Sequence, residues 1–509
     1  MRMRAMLAVL ALAAAWTAPA LAAPVSVKIE TGVLTGDAAD KALVFRNIPF
    51  AAPPVGELRW APPQRAPAWA GERDAVKPGP SCPQPMRPDG RPNAGAANGP
   101  TSEDCLQLNV FAPPIAGKSA AKAPVMVWLH GGAHRYGAGW IYDGSNFARD
   151  GVVLVAINYR LGPLGYFAHP ALTKAAGPDA PLANYGLMDQ IAALQWVQRN
   201  IAAFGGDPDN VTVFGESAGA MSTLQLLAIP QTKGLYEKAI VQSGGGWFAP
   251  ASLAEKEADG AAVADRLGLP GVQASLAQLR AVPADQLIAQ TQSGNYGPFP
   301  DGRLLKETAS QAFAAGRALD VPLIIGSNSG EDSLMDSFGM NPGARALPPI
   351  VKAVYSEDAA KGEEALARAI FTDRVMGGPA RWTAAQAAKG APAWLYYFSY
   401  VGARFRPATT TAAHAAEIQY VFEYWGRRTD PASLGPDDRA MASLMHSCWV
   451  AFAKTSTPVC ASGPAWPAYQ PARDQLMEFG ADSGVRTNLR KRQLDAQERI
   501  ALPTLGLPR

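Results

Sequence analysis

Six short, almost uninterrupted apolar runs punctuate the chain: VMVWLH from 125, VVLVAINY from 152, VTVFG from 211, KAIVQSG from 238, VPLIIG from 321 and WLYYFSY from 394. Strands that are apolar on both sides belong in parallel sheets covered on both faces. Longer amphipathic stretches separate them; in LMDQIAALQWVQRNIAAF, residues 187–204, the positions Ile191, Leu194, Val197 and Ile201 fall on one helical stripe. This alternation predicts a doubly covered α/β sheet, in which active sites gather outside the carboxyl ends of strands. From 331 to about 410 the pattern is mostly helical, as in SEDAAKGEEALARAIF. That stretch fits either an insertion capping the site or an ordinary outer helical layer.

The first residues change the picture at one end. Arg2 and Arg4 precede an apolar stretch from Ala5 to Trp16, and Ala20, Leu21 and Ala22 follow as a small-residue cleavage signal. This is the pattern of a secretory signal peptide over 1–22. The apolar stretch is too short for a spanning helix, which needs about 20 residues, and no later segment is long and apolar enough to be one. The expectation is export, to the periplasm or outside the cell, with residues 23–509 forming a single catalytic domain. A chain of 509 residues often divides, but no linker is visible. A net charge of +3, without basic blocks, gives no footprint for nucleic acid. Four cysteines allow three pairings, which spacing does not rank. Cys82 and Cys105 enclose a loop rich in Pro, Gly and Asn; Cys448 and Cys460 fit either a bridge or a buried thiol.

Candidate chemistry concentrates where VTVFG runs into ESAG. Gly215 and Gly219 leave room for a tight strand-to-helix turn that projects the Ser217 hydroxyl, and the backbone N–H of Ala218 would face a developing oxyanion. A base must follow the serine in this arrangement, which leaves His414 and His446. His446 lies within a helical pattern, whereas His414 sits among small residues before an apolar run, so His414 is assigned as general base. Glu331 and Asp332 both follow an apolar strand and either suits the acid; Asp301, between Pro and Gly, reads as a turn. The glycine-rich stretch after VMVWLH supplies the amides of Gly132 and Ala133 to meet that of Ala218. His130 and His134 have a helical metal-ligand spacing, but Gly131 and Gly132 between them break a helix, so no metal is expected.

With these residues placed, the chain resembles the type-B carboxylesterases of the α/β-hydrolase superfamily, in the style of bacterial para-nitrobenzyl esterases and more distantly of cholinesterases. The likeness runs through FRNIPFAAPPVGELRW at 45, SEDCLQLNVFAP at 102, WLHGGAHRYGAG at 128, NYRLGPLGYF at 158, NYGLMDQIAALQWVQRNIAAFGGDP at 184, QSGG at 242 and WVAFAKTSTP followed by WPAY at 466. It implies an α/β-hydrolase fold, with a mostly parallel central sheet, helices on both faces and a helical cap insertion. It also implies Glu331 as the acid, His414 as the base, an oxyanion hole from Gly132, Ala133 and Ala218, and a disulfide between Cys82 and Cys105. Asn47, Gln107 and His134 depart from the family pattern, the last beside the oxyanion loop, where it bears on pocket shape.

The implied reaction is ester hydrolysis through an acyl-enzyme on Ser217, with no cofactor. Pocket candidates are His134, Trp247, Phe248, Phe299 and Phe398, each equally readable as core packing. The loop between Cys82 and Cys105 contains no Trp, Tyr or Phe. It therefore lacks an aromatic face for a quaternary ammonium, and small neutral carboxylic esters fit better than choline esters. Two other readings stand beside this one: a catalytically silent binding or adhesion homologue, and a hydrolase specialised for carbamates, lactones or aromatic polyester fragments. The residues do not specify an oligomeric state.

Overall fold

The computed structural model describes residues 23–86, 97–114, 122–292, 294–341, 349–426 and 429–508. The expected leader at 1–22 lies outside the described residues. The described chain builds one sheet from β1 (Ala23–Ile29), β2 (Gly32–Ala39), β3 (Ala42–Pro49), β4 (Glu72–Asp74), β5 (Gln107–Ala112), β6 (Ala123–Leu129), β7 (Val153–Ile157), β8 (Gly206–Glu216), β9 (Lys238–Gln242), β10 (Leu323–Asn328), β11 (Ala393–Phe398), β12 (Gln475–Phe479) and β13 (Gly484–Thr487). Its order is β1-β2-β3-β5-β7-β6-β8-β9-β10-β11-β12-β13, with β4 beside β2. From β7 through β6, β8, β9, β10 and β11 to β12 every pairing is parallel, while the flanks β1-β2-β3-β5-β7 and β12-β13 are antiparallel. All six apolar runs are strands of the centre. The result is a mixed sheet with a parallel middle, the arrangement of an α/β-hydrolase.

Side-chain alternation along these strands divides the interior in two. On one face Val125, Val127, Val153, Val155, Val211, Val213, Val241 and Ile325 join a core closed by the helices Tyr185–Asn200, Ala218–Leu227 and Gly378–Ala387. On the other, Met126, Trp128, Leu154, Phe214, Ile240, Ile324 and Tyr396 pack under Met445, Trp449 and Phe452 of the helix Pro436–Thr455. Fully burying one such aliphatic side chain is worth about 1.5–3 kcal/mol, so the two-faced pattern holds the strands in register. The predicted stripe is inside as expected, with Leu194, Val197 and Ile201 fully buried on Tyr185–Asn200 and the 3-10 turn that follows it.

The helical segment after 331 divides between its two readings. Its last helix, Gly378–Ala387, puts Ala380, Trp382 and Ala384 into the main core as the crossover between β10 and β11. The helices before it gather a small separate cluster of Val351, Tyr355 and Leu366. Two disulfides are present, Cys82–Cys105 and Cys448–Cys460, so the pairing that spacing left open is made. Among the described residues no helix is long and apolar enough to cross a membrane.

Candidate active site

β8 ends at Glu216, and the next residue, Ser217, turns the chain with φ 54° and ψ −121° before the helix Ala218–Leu227 begins. A non-glycine residue in that region costs on the order of 1–3 kcal/mol and persists only where its surroundings insist on it. Here they do. The Ser217 N–H donates to the Gln242 carbonyl at 2.9 Å, tying the turn to the end of β9. Gly219 lies so close to β6 that a Cβ there would stand 1.9 Å from the Leu129 carbonyl oxygen. The helix can therefore start against the strand only because that side chain is absent. Ser217 itself is partly exposed.

The loop after β6 abuts the same turn, since a Cβ on Gly131 would lie 3.1 Å from the Ser217 Cβ. Gly132, Ala133 and His134 follow with φ of 107°, 54° and 54°. The Gly132 carbonyl accepts from the N–H groups of Arg135 and Tyr136, both at 2.9 Å. Among the described residues the amides of Gly132, Ala133 and Ala218 have no backbone acceptor of their own. Donors at the head of a helix and in an adjoining turn are suited to meeting a negative charge.

His414 lies in the loop after β11, and its Nδ1 meets Glu331 Oε2 at 2.5 Å. Glu331 is fully buried; its other oxygen accepts from Ser243 Oγ at 2.5 Å and from the Asn328 N–H at 2.7 Å. The loops carrying acid and imidazole are stitched together along their backbones. Gly330 pairs with Ala413 as an isolated parallel bridge, the Gly330 N–H donates to Ala412 O at 2.7 Å, and Ser333 Oγ accepts the His414 N–H at 2.9 Å. His414 Nε2 is 3.0 Å from Glu216 Oε1, yet neither atom is aligned for a hydrogen bond, and both are buried without a partner. The second imidazole nitrogen therefore faces the carboxylate of the residue that precedes Ser217.

Electrostatics follow from burial. Glu216 is held well above the ordinary carboxylate range by loss of solvent. For His414 burial acts downward but is outweighed by the negative charges of Glu216 and then Glu331, so the imidazole titrates above its usual value. A third carboxylate, Glu417, is fully buried behind them and raised by burial; it accepts from Gln242 Nε2 at 3.0 Å and from Asn328 Nδ2 at 2.6 Å. Glu216, Ser243 and Glu417 were not read from the sequence. Glu216 stands as the variable position of GxSxG, and only its place beside the serine would have flagged it. Ser243 and Glu417 needed the fold to bring β9 and the His414 loop to Glu331.

The other predicted residues take varied places. His134 is 2 % exposed, bonds Ser222 Oγ at 2.9 Å and is lowered to about 3, first by burial and then by His130, so it is a neutral, buried member of the turn after β6. Phe398 is fully buried against Tyr420, Phe299 is 4 % exposed beside Asn184, and Trp247 is 7 % exposed, whereas Phe248 is 49 % exposed. Asp332 pairs with Arg368 at 3.3 Å, and Asp301 caps its own turn by accepting from the Leu305 N–H at 2.8 Å. His446 is buried between Val421 O at 2.7 Å and Asp150 at 3.0 Å, a structural histidine.

The sequence model of the Carboxylesterase family matches residues 23–347 and 345–497. The chain is 37 % identical over 483 residues to the fumonisin B1 esterase of Sphingopyxis macrogoltabida, covering 86 % of this chain and 84 % of that protein. It is 36 % identical over 450 residues to the para-nitrobenzyl esterase of Bacillus subtilis (strain 168), covering 84 % and 88 %. Among solved structures, a carboxylesterase of Geobacillus stearothermophilus superposes with a TM-score of 0.79 at 33 % identity, covering 93 % of this chain and 99 % of that one.

Proposed function

The chain belongs to the carboxylesterase family and is a carboxylic ester hydrolase, and from that premise we propose that Ser217 is its nucleophile, His414 its general base and acid, and Glu331 the carboxylate that orients the imidazole. The observation that carries the assignment is the 2.5 Å contact of His414 Nδ1 with Glu331, which turns Nε2 toward the end of β8, 3.0 Å from Glu216 Oε1 and one residue from the strained serine turn. His414 takes the Ser217 proton as Oγ attacks the ester carbonyl. The tetrahedral oxyanion is held by the amides of Gly132, Ala133 and Ala218; each such donor is worth about 2.7–4 kcal/mol in the transition state because it meets charge absent from the substrate. The imidazolium then protonates the leaving alcohol, giving an acyl-enzyme, and a water deprotonated by His414 releases the acid. Glu331 holds the imidazole throughout, anchored by Ser243 and the Asn328 amide.

The test is covalent labelling by an organophosphonate, with mass spectrometry of the labelled peptide. Label on Ser217, and a fall of about 10⁴-fold or more in kcat on 4-nitrophenyl acetate for Ser217→Ala, support the reading. A variant that keeps wild-type turnover ends it. The substrate is a small-molecule carboxylic ester, as the family's activity supports. Residues 23–509 acting as one catalytic unit after removal of 1–22, in an exported protein, complete the proposal. The two disulfides support an oxidising compartment.

A further inference from the structure

Leaving β9 through Ser243, the chain carries Trp247 and Phe248 along a wall shared with the π-helical turn Asp373–Gly377. A Cβ on Gly245 would lie 3.0 Å from the Phe248 ring and 3.2 Å from the Val375 carbonyl, and one on Gly378 would lie 2.7 Å from the Trp247 indole. The wall adjoins the proposed catalytic centre on two sides. A Cβ on Gly244 would stand 3.2 Å from the backbone of Ala220, in the first turn of the helix after Ser217. Thr372 Oγ1 accepts the N–H of Asp332, the neighbour of Glu331, at 3.1 Å.

Among the described residues, three buried donor atoms in this wall have no acceptor: Arg374 Nη1, Trp247 Nε1 and Trp382 Nε1. The groups that carry them adjoin: the Arg374 guanidinium lies 5.8 Å from the Trp247 ring centroid, and the two indole centroids are 6.5 Å apart. Nearby carboxylates are spoken for. Asp373 is held by Arg490 at 2.7 Å, and Asp332 by Arg368. Burial pulls the Arg374 guanidinium below its ordinary pKa with no anion opposing it. A buried unsatisfied donor is costly, and a charged one more so, and here an arginine and two indoles share the deficit. The wall is open to solvent at Phe248.

We propose that Arg374, with the indole N–H groups of Trp247 and Trp382 beside it, forms a subsite for a carboxylate carried on the ester substrate, making Arg374 a specificity-determining residue. This deepens the esterase reading above and rests on it; where the sequence suggested neutral esters, the wall favours esters bearing a second, ionised carboxyl group. Arginine suits the task because its planar fork meets a carboxylate with two parallel hydrogen bonds. The carboxylate can sit on the acyl or the alcohol part of the ester.

Two substrate pairs separate those sources: mono-4-nitrophenyl glutarate against 4-nitrophenyl valerate for the acyl side, and 4-acetoxybenzoate against phenyl acetate for the alcohol side. The wild-type enzyme should show a higher kcat/KM for the charged member of one pair. Arg374→Gln should cut that charged-to-neutral ratio by about 10–100-fold, the loss of a charge-assisted hydrogen bond, and Arg374→Lys should restore part of it. Free glutarate should inhibit the wild type competitively and better than butyrate, a readout that needs no variant. Equal turnover within both pairs, or a ratio unmoved in Arg374→Gln, overturns the subsite while leaving the esterase reading intact. Absence of turnover on all four esters, with no phosphonate label on Ser217, would overturn the nucleophile assignment and the subsite with it.

Discussion

His414 has a carboxylate near each ring nitrogen, Glu331 at 2.5 Å and Glu216 at 3.0 Å, and this governs how rate depends on pH. A general base acts only when neutral, and the charges around this imidazole raise its pKa above the ordinary histidine value near 6.5. The neutral fraction therefore grows only at higher pH, and the rising limb of kcat/KM should lie on the alkaline side of 6.5. Glu216→Gln removes one of the two charges and should move that limb to lower pH, read from hydrolysis rates between about pH 5 and 10. A limb that stays in place would show that Glu216 does not act on the base electrostatically. At this scale Ser217 stood out by its turn and His414 as one of two histidines downstream of it, whereas Glu331 was separated from Asp332 only by the family resemblance. Glu216 and Glu417 were not legible, since a glutamate in sequence carries no mark of burial, and only the folded chain takes their solvent away.

The strand-to-helix elbow works as an element because two backbones touch. Gly219→Ala would force a methyl group to 1.9 Å from the Leu129 carbonyl oxygen, so the helix must shift away from β6. Overpacking of that kind costs about 1–3 kcal/mol or more, and it should appear both as a lower denaturant midpoint and as lost turnover from a displaced Ser217. A variant with unchanged midpoint and rate would mean that the elbow tolerates repacking. Elements of the parallel centre were readable as apolar runs, but the antiparallel flanks were not. β2 alternates partly buried and buried positions, and β12 is only five residues long. β5, QLNVFA, is wholly buried yet includes Gln107 and Asn109, whose side chains bond the backbone at Asp104 and Ala156, so its polarity hid a core strand. Sequence periodicity registers hydrophobicity, and here hydrogen bonding makes buried polar residues affordable.

Across the whole molecule, residues far apart in sequence converge because β8, β9, β10 and β11 are parallel neighbours whose carboxyl ends share one edge of the sheet. The likeness of many motifs in order made that convergence expected, while the positions of Trp247, Phe398 and His134 depended on packing that no local pattern encodes. Stability at this scale also draws on the cross-links. Cys82–Cys105 closes a separation of 23 residues, worth about 3 kcal/mol on the loop-entropy model. Replacing both by Ser should lower the unfolding free energy by about that amount in chemical denaturation, with the slope against denaturant rising as the unfolded chain expands; an unaltered midpoint would remove the bridge from the stability account.

The stitching of the Gly330 and Ala413 loops has a spectroscopic corollary. Glu331 and His414 form a unit whose cross-links do not involve Ser217. The proton between the carboxylate and Nδ1, sheltered from exchange, should give a far-downfield signal in a one-dimensional proton NMR spectrum. That resonance should survive in the Ser217→Ala protein and vanish in Glu331→Gln.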